Sequence, residues 1–229
     1  FIVIIFSLPL SWIYLMPREM QDYALSVITS LLFGSNFLFW SENNYFATES
    51  LLRPFLHTWS LALEEQFYLI FPITLVLLWN FLREKIITIF VILFILSIFL
   101  AQYLSFTSPE TSFYLFPTRA WELLAGAILA KLEIDKKNEN RNLSRFAPFF
   151  GLFLIFLSFV IVNENTIHPS FITLIPIIGT SLFIWYGGQG DFFSNFLSSK
   201  IAVGLGLISY SLYLWHFPLF AFSRVKNFN

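Results

Sequence analysis

Cysteine is absent from the chain. That excludes disulfides, a thiolate nucleophile and sulfur-ligated metal sites. Charge is scarce: Asp, Glu, Lys and Arg make up 12% of the 229 residues, about half the share of a soluble domain. Neither sign is in excess, with 13 basic against 14 acidic residues and a net charge of −1. Nothing therefore points to nucleic acid or an acidic polymer as partner. The three histidines, His57, His168 and His216, show no metal-ligand spacing, so no metal site is expected. Internal repeats and a soluble domain are also missing. The apolar segments are continuous rather than alternating, which argues against a transmembrane barrel.

What remains is apolar bulk. Hydrophobic residues are 57% of the chain, Phe alone contributes 31 residues, and mean hydropathy is +0.74. The expected fold is all-α, a polytopic transmembrane helical bundle of about seven spans plus one re-entrant or weak span. The spans read as 1–16, 59–82, 86–104, 118–132, 147–162, 171–186 and 201–222. The stretch from Tyr23 to Trp40 is interrupted by Ser26, Thr29, Ser30, Gly34, Ser35 and Asn36. Such an element survives in a membrane only when packed against protein. Segments 105–117 and 187–200 read as loops, and Ala125-Gly126-Ala127 as a site of close helix approach.

Basic residues orient the spans. Lys131, Lys136, Lys137, Arg141 and Arg145 mark the cytoplasmic side. Arg83 and Lys85 then fall inside as well, and the head of the span at Trp59 faces outward. The chain opens at Phe1 inside an apolar run and stops at Asn229 just past a span. The expected domain is thus 1–229, a transmembrane domain truncated at both ends. The expected location is the inner (cytoplasmic) membrane, multi-pass, with the lipid bilayer as partner.

Three stretches could carry chemistry. His57-Thr58-Trp59-Ser60-Leu61 leads into Glu64-Glu65-Gln66-Phe67-Tyr68 and Pro72. Carboxylates in a spanning helix cost free energy and are functional candidates, although acids near a helix start also suit its dipole, with Thr58 or Ser60 as cap. Arg119 and Glu122 lie one turn apart and can satisfy each other; alternatively, Arg119 pairs with Glu64 or Glu65 across helices. Ser209, Tyr213 and His216 share a helical face, with Tyr210 nearby and Pro218 freeing the carbonyl of Leu214. The candidate polar cluster is therefore His57, Ser60, Glu64, Glu65, Tyr68, Arg119, Glu122, Tyr210, Tyr213 and His216. From spacing alone a transporter and a membrane enzyme are equally good readings.

The first stretch resembles the hallmark of the acyltransferase-3 family of integral membrane O-acyltransferases. Pro117-Thr118-Arg119-Ala120-Trp121-Glu122-Leu123 with Gly126, and Ile208 to Leu219, resemble two further family blocks in the same order. Weaker likeness runs through Ser35-Asn36-Phe37 and Pro176-Ile177-Ile178-Gly179-Thr180. The resemblance implies transfer of an acyl group, commonly acetyl, from acetyl-CoA or another acyl-CoA to a hydroxyl. Acceptors implied are glycans or lipid-linked sugars: lipopolysaccharide O-antigen, exopolysaccharide or peptidoglycan. It also implies a general-base histidine and an Arg-rich donor motif before Phe1, so the catalytic residue is not assigned here and residues 1–229 alone are expected to be inactive. The rival reading is a proton-coupled transporter or glycan flippase.

Overall fold

A computed structural model describes residues 1–42, 52–135, 146–163, 166–187 and 192–228. Every regular element among them is helical. The chain divides into two compact units, 1–66 with 200–229, and 67–199.

The first unit holds α1 (Ile2–Tyr14), α2 (Pro17–Leu31), α3 (Ser35–Glu42), the head of α4 (Thr58–Leu82) and the C-terminal helix α11 (Lys200–Phe228). Pro17 opens α2, where its missing N–H costs nothing. The helix closes at Phe33, whose φ of 56° is left-handed. There Gly34 N–H bonds to the Thr29 carbonyl at 2.8 Å and Phe33 N–H to that of Ser30 at 3.3 Å. These two bonds make a Schellman stop. The weak apolar stretch of the sequence is thus two helices with a tight break, each too short to cross a bilayer alone. Val3, Tyr23, Phe55 and Phe222 form the core of this unit. Its buried serines turn inward: Ser7, Ser11 and Ser26 donate to the carbonyls of Ile4, Leu8 and Asp22, each at 2.8 Å.

The second unit continues α4 and adds α5 (Ile86–Thr107), α6 (Pro109–Tyr114), α7 (Phe116–Asp135), α8 (Ala147–Ile161), α9 (Leu174–Tyr186) and α10 (Phe192–Leu197). The helices α6 and α10 fall in segments expected to be loops. Both have six residues, under two turns, a length at which apolar periodicity gives no signal. In this unit α5 packs on α7 and α8 on α9. Ile86, Phe90, Ala120 and Leu124 form one core cluster, and Ile98, Ala101 and Trp121 another. Ser97 stitches α5 to the start of α7. Its hydroxyl donates to the Pro117 carbonyl at 2.6 Å and accepts from Trp121 N–H at 3.0 Å.

Among the described residues two stretches, Thr58–Thr107 and Lys200–Lys226, are long and apolar enough to cross a membrane. Three shorter apolar segments accompany them, Ile2–Tyr14, Ala147–Ile161 and Phe171–Tyr186. Large apolar side chains point outward, Phe81 at 79% and Phe159 at 75% exposure among them. Water would not tolerate that surface and lipid would. The chain is a membrane protein. The basic residues Lys136, Lys137, Arg141 and Arg145 lie outside the described residues.

Candidate active site

The motif residues gather in two polar centres, one in each unit. In the first, the head of α4 meets α11. The Tyr213 hydroxyl lies 2.6 Å from Ser60 Oγ and donates to the His57 carbonyl at 3.0 Å. Thr58 and Ser60 send their hydroxyls to the carbonyls of Phe55 (2.7 Å) and His57 (3.2 Å). Both hydroxyls therefore serve the preceding loop in these bonds. His57 is 5% exposed. Its ring stacks on Phe217 at 5.5 Å and meets the edges of Tyr213 at 5.4 Å and His216 at 5.6 Å. Neither ring nitrogen has a hydrogen-bond partner. Burial first, and then the charge of His216, lowers its pKa to about 4, so the ring is neutral. His216 Nδ1 lies 2.6 Å from the Tyr213 carbonyl oxygen, as an N–H donor would.

Beside this cluster is a cavity of about 590 Å³, walled by α1, α2, the head of α4 and α11. Most of its lining is apolar. Its polar edge comprises Glu65, the hydroxyl pair Ser30–Thr58 (2.7 Å), Ser211 and Tyr210. Glu65 is the one carboxylate among the described residues that line it. Neither Glu64 nor Glu65 has an ion-pair partner among the described residues. The two point about 100° apart on the helix, and Glu65 is the one that lines the cavity. Gln66 fixes this register. Its amide donates to the Phe33 carbonyl and to Asn36 Oδ1, each at 2.9 Å. The Glu-Glu-Gln run and the Ser-Asn-Phe run, far apart in sequence, are thereby tied together. Tyr68 is 57% exposed, and Tyr210, at 59%, lines the cavity rim.

The second centre is built on α7. Arg119 Nη1 lies 3.1 Å from Glu122 Oε1, the i, i+3 pairing anticipated from the sequence. The same nitrogen bonds to His168 Nε2, in the segment between α8 and α9. A guanidinium only donates, so His168 accepts through an unprotonated nitrogen. Burial first, and then the Arg119 charge, lowers the His168 pKa to about 4. Phe113 lies beside both, 5.8 Å from the guanidinium and 6.1 Å from the imidazole. His168 escaped the sequence reading because a single histidine before a proline carries no spacing signal.

The first unit thus brings together a carboxylate with no ion-pair partner among the described residues, several hydroxyls and the neutral imidazole of His57, groups able to hold a hydroxyl and its proton. Comparison with known proteins identifies the group of proteins to which the chain belongs. The profile of the acyltransferase domain matches residues 1–228. The O-acetyltransferase OatA of Staphylococcus aureus (strain NCTC 8325 / PS 47) is 33% identical over 223 residues, covering 90% of this chain and 36% of that protein. The peptidoglycan O-acetyltransferase OatA of Listeria monocytogenes is 27% identical over 231 residues, covering 95% of this chain and 36% of its own length. The chain thus spans little more than a third of these relatives. No solved structure matches it. A match that begins at the first residue, takes in all three motif blocks and ends at Phe228 establishes that this chain belongs to the acyltransferase-3 family.

Proposed function

We propose that this chain is the membrane part of an O-acyltransferase that moves an acyl group, acetyl by the names of its relatives, from acyl-CoA to a hydroxyl of a cell-surface glycan. Peptidoglycan is the acceptor favoured by the name of the Listeria relative. The reading includes a multi-pass arrangement in the cytoplasmic membrane. The observation that carries it is Glu65, a carboxylate with no ion-pair partner among the described residues, in a largely apolar cavity walled by helices of a membrane protein. Such a group is costly unless it is used.

In the reaction, the acceptor oxygen attacks the thioester carbonyl carbon, a C–O bond forms and the C–S bond breaks. The hydroxyl proton leaves through a base, and the thiolate takes up a proton on departure. Glu65 holds the acceptor hydroxyl and accepts its hydrogen bond as charge develops on oxygen. Ser30 and Thr58 face the same space. His57, Ser60, Tyr213 and His216 fix the head of α4 that carries Glu65. Arg119, Glu122 and His168 act as a structural charge centre in their own unit.

Expression of the complete protein in cells lacking endogenous O-acetylation tests this. Ester-linked acetyl released from wall sugars should appear with the wild type and fall about a hundredfold or more with Glu65→Gln at equal membrane abundance. Normal acetylation by Glu65→Gln would remove the cavity from the reaction. Proton-coupled solute flux without any ester would favour the transporter or flippase reading.

A further inference from the structure

We propose that a second cavity in the first unit is a subsite for an uncharged sugar ring of the acceptor, a proposal that rests on the acyl-transfer reading above. This cavity, about 550 Å³, lies where the start of α2 meets the segment before α4. Its charged lining is Arg18, Glu19, Asp22 and Arg53. A volume of that order is usual for a small-molecule site.

The chemistry of the lining selects the ligand. Arg53 is held by Glu42 and by Asp22, the latter at 3.5 Å, and its side chain is only 17% exposed. Glu19 accepts one hydrogen bond, from Met16 N–H at 2.8 Å. Arg18 is exposed and has no ion-pair partner among the described residues. Carboxylate oxygens with spare acceptor capacity therefore alternate with guanidinium donors around one space. Vicinal hydroxyls, each both donor and acceptor, match such a surface. A phosphate or a nucleotide does not, because Glu19, Asp22 and Glu42 offset the two guanidiniums and leave no positive excess.

The position also suits an acceptor. Tyr23 lines this cavity, and its ring packs against Phe55 at 5.7 Å. Phe55 in turn lines the cavity that holds Glu65. The two cavities thus share a wall of two rings. The Tyr23 hydroxyl is bonded to Ser7 Oγ of α1 at 2.7 Å, which fixes that ring of the wall. A sugar seated among the charged groups lies on one side of this wall and the carboxylate on the other, so the seated ring is a neighbour, along the glycan, of the ring whose hydroxyl Glu65 holds.

The test uses the complete protein in detergent with the uncharged disaccharide of two N-acetylglucosamine rings as probe. Saturation-transfer NMR should detect binding to the wild type. The double variant Arg18→Ala with Asp22→Asn should bind about tenfold more weakly, the loss expected for hydrogen bonds to charged groups. In turnover, the same variant should raise KM for the sugar by a similar factor and leave KM for the acyl donor unchanged. Arg18→Lys, which keeps the charge and loses the fork, should recover part of the affinity. Unaltered sugar binding in the double variant, or a rise in donor KM instead, overturns the subsite. Size-exclusion retention guards against misfolding; if the double variant aggregates, the exposed Arg18→Ala alone decides by the same readings. The two proposals fail separately. Transfer that depends on Glu65 but not on Arg18 or Asp22 sinks only the subsite. Sugar binding lost with Arg18, in a wild type that transfers no acyl group, sinks only the acyl-transfer reading.

Discussion

His168 gains its state from two neighbours. Burial withholds water from its imidazole, and the Arg119 guanidinium both repels a proton and occupies the Nε2 lone pair. Its pKa falls to about 4, well below its ordinary value of 6.5. The linkage follows from the sign of that shift. In the unfolded chain His168 begins to take up a proton near its ordinary value, whereas in the folded chain it does not. Stability from this group is therefore complete above pH 6.5 and is lost as pH falls toward 4. His57, lowered to about 4 by burial and by His216, acts in the same direction. Thermal unfolding in detergent should shift to lower temperature between pH 7 and pH 5, and His168→Gln should flatten part of that slope. An unchanged slope in the variant would mean that His168 is already water-accessible. None of this was legible in the sequence, where His168 is one residue in a polar connection. His57, Ser60, Tyr213 and His216 were legible as candidates because each sits in a motif block. Their meeting depends on α11 returning to the head of α4, and no local pattern encodes that return.

At the scale of elements, a tight helix approach lies where no small-residue run drew notice. The Ala125-Gly126-Ala127 run reads as a packing face, yet a Cβ on Gly126 would meet nothing within 4 Å. The close approach is between α8 and α9, each of which offers one glycine. A Cβ on Gly151 would lie 2.6 Å from the Gly179 carbonyl oxygen, and one on Gly179 would lie 2.7 Å from that of Gly151. Both obstacles are backbone, so no side chain can swing aside. Gly151→Ala should destabilise the second unit by about 1–3 kcal/mol through overpacking. Gly126→Ala should be neutral, or stabilising by up to about 1 kcal/mol from helix propensity. Melting curves of the two variants in one detergent compare them directly; equal midpoints would deny the contact. The helices themselves were largely readable from apolar runs and their breaks, α4, α5 and α8 to within a few residues. The pairing of α8 with α9 was not, because single glycines in apolar helices are too common to mark a contact.

For the molecule as a whole, the question is which way the chain threads the bilayer. A helix of 25 residues, Thr58–Leu82, spans roughly 37 Å, more than the hydrocarbon core. Its tail ends in Arg83-Glu84-Lys85, and the Arg83 guanidinium lies over the Trp79 ring at 4.3 Å. A cation on an aromatic ring at a helix end is the anchor expected at a lipid–water boundary. On the proposed reading, the positive-inside rule sets that boundary on the cytoplasmic side and the head of α4, which carries Glu65, on the outer side. Because the chain has no cysteine, single introduced thiols report topology without background. Arg18→Cys should react with a membrane-impermeant maleimide on intact cells. Lys85→Cys should react only after permeabilisation. The reverse pattern would invert the orientation and turn the proposed sugar subsite away from its ligand. Labelling of both from outside would mean that α4 does not cross, and an outward path for the acyl group would then have to run through another helix.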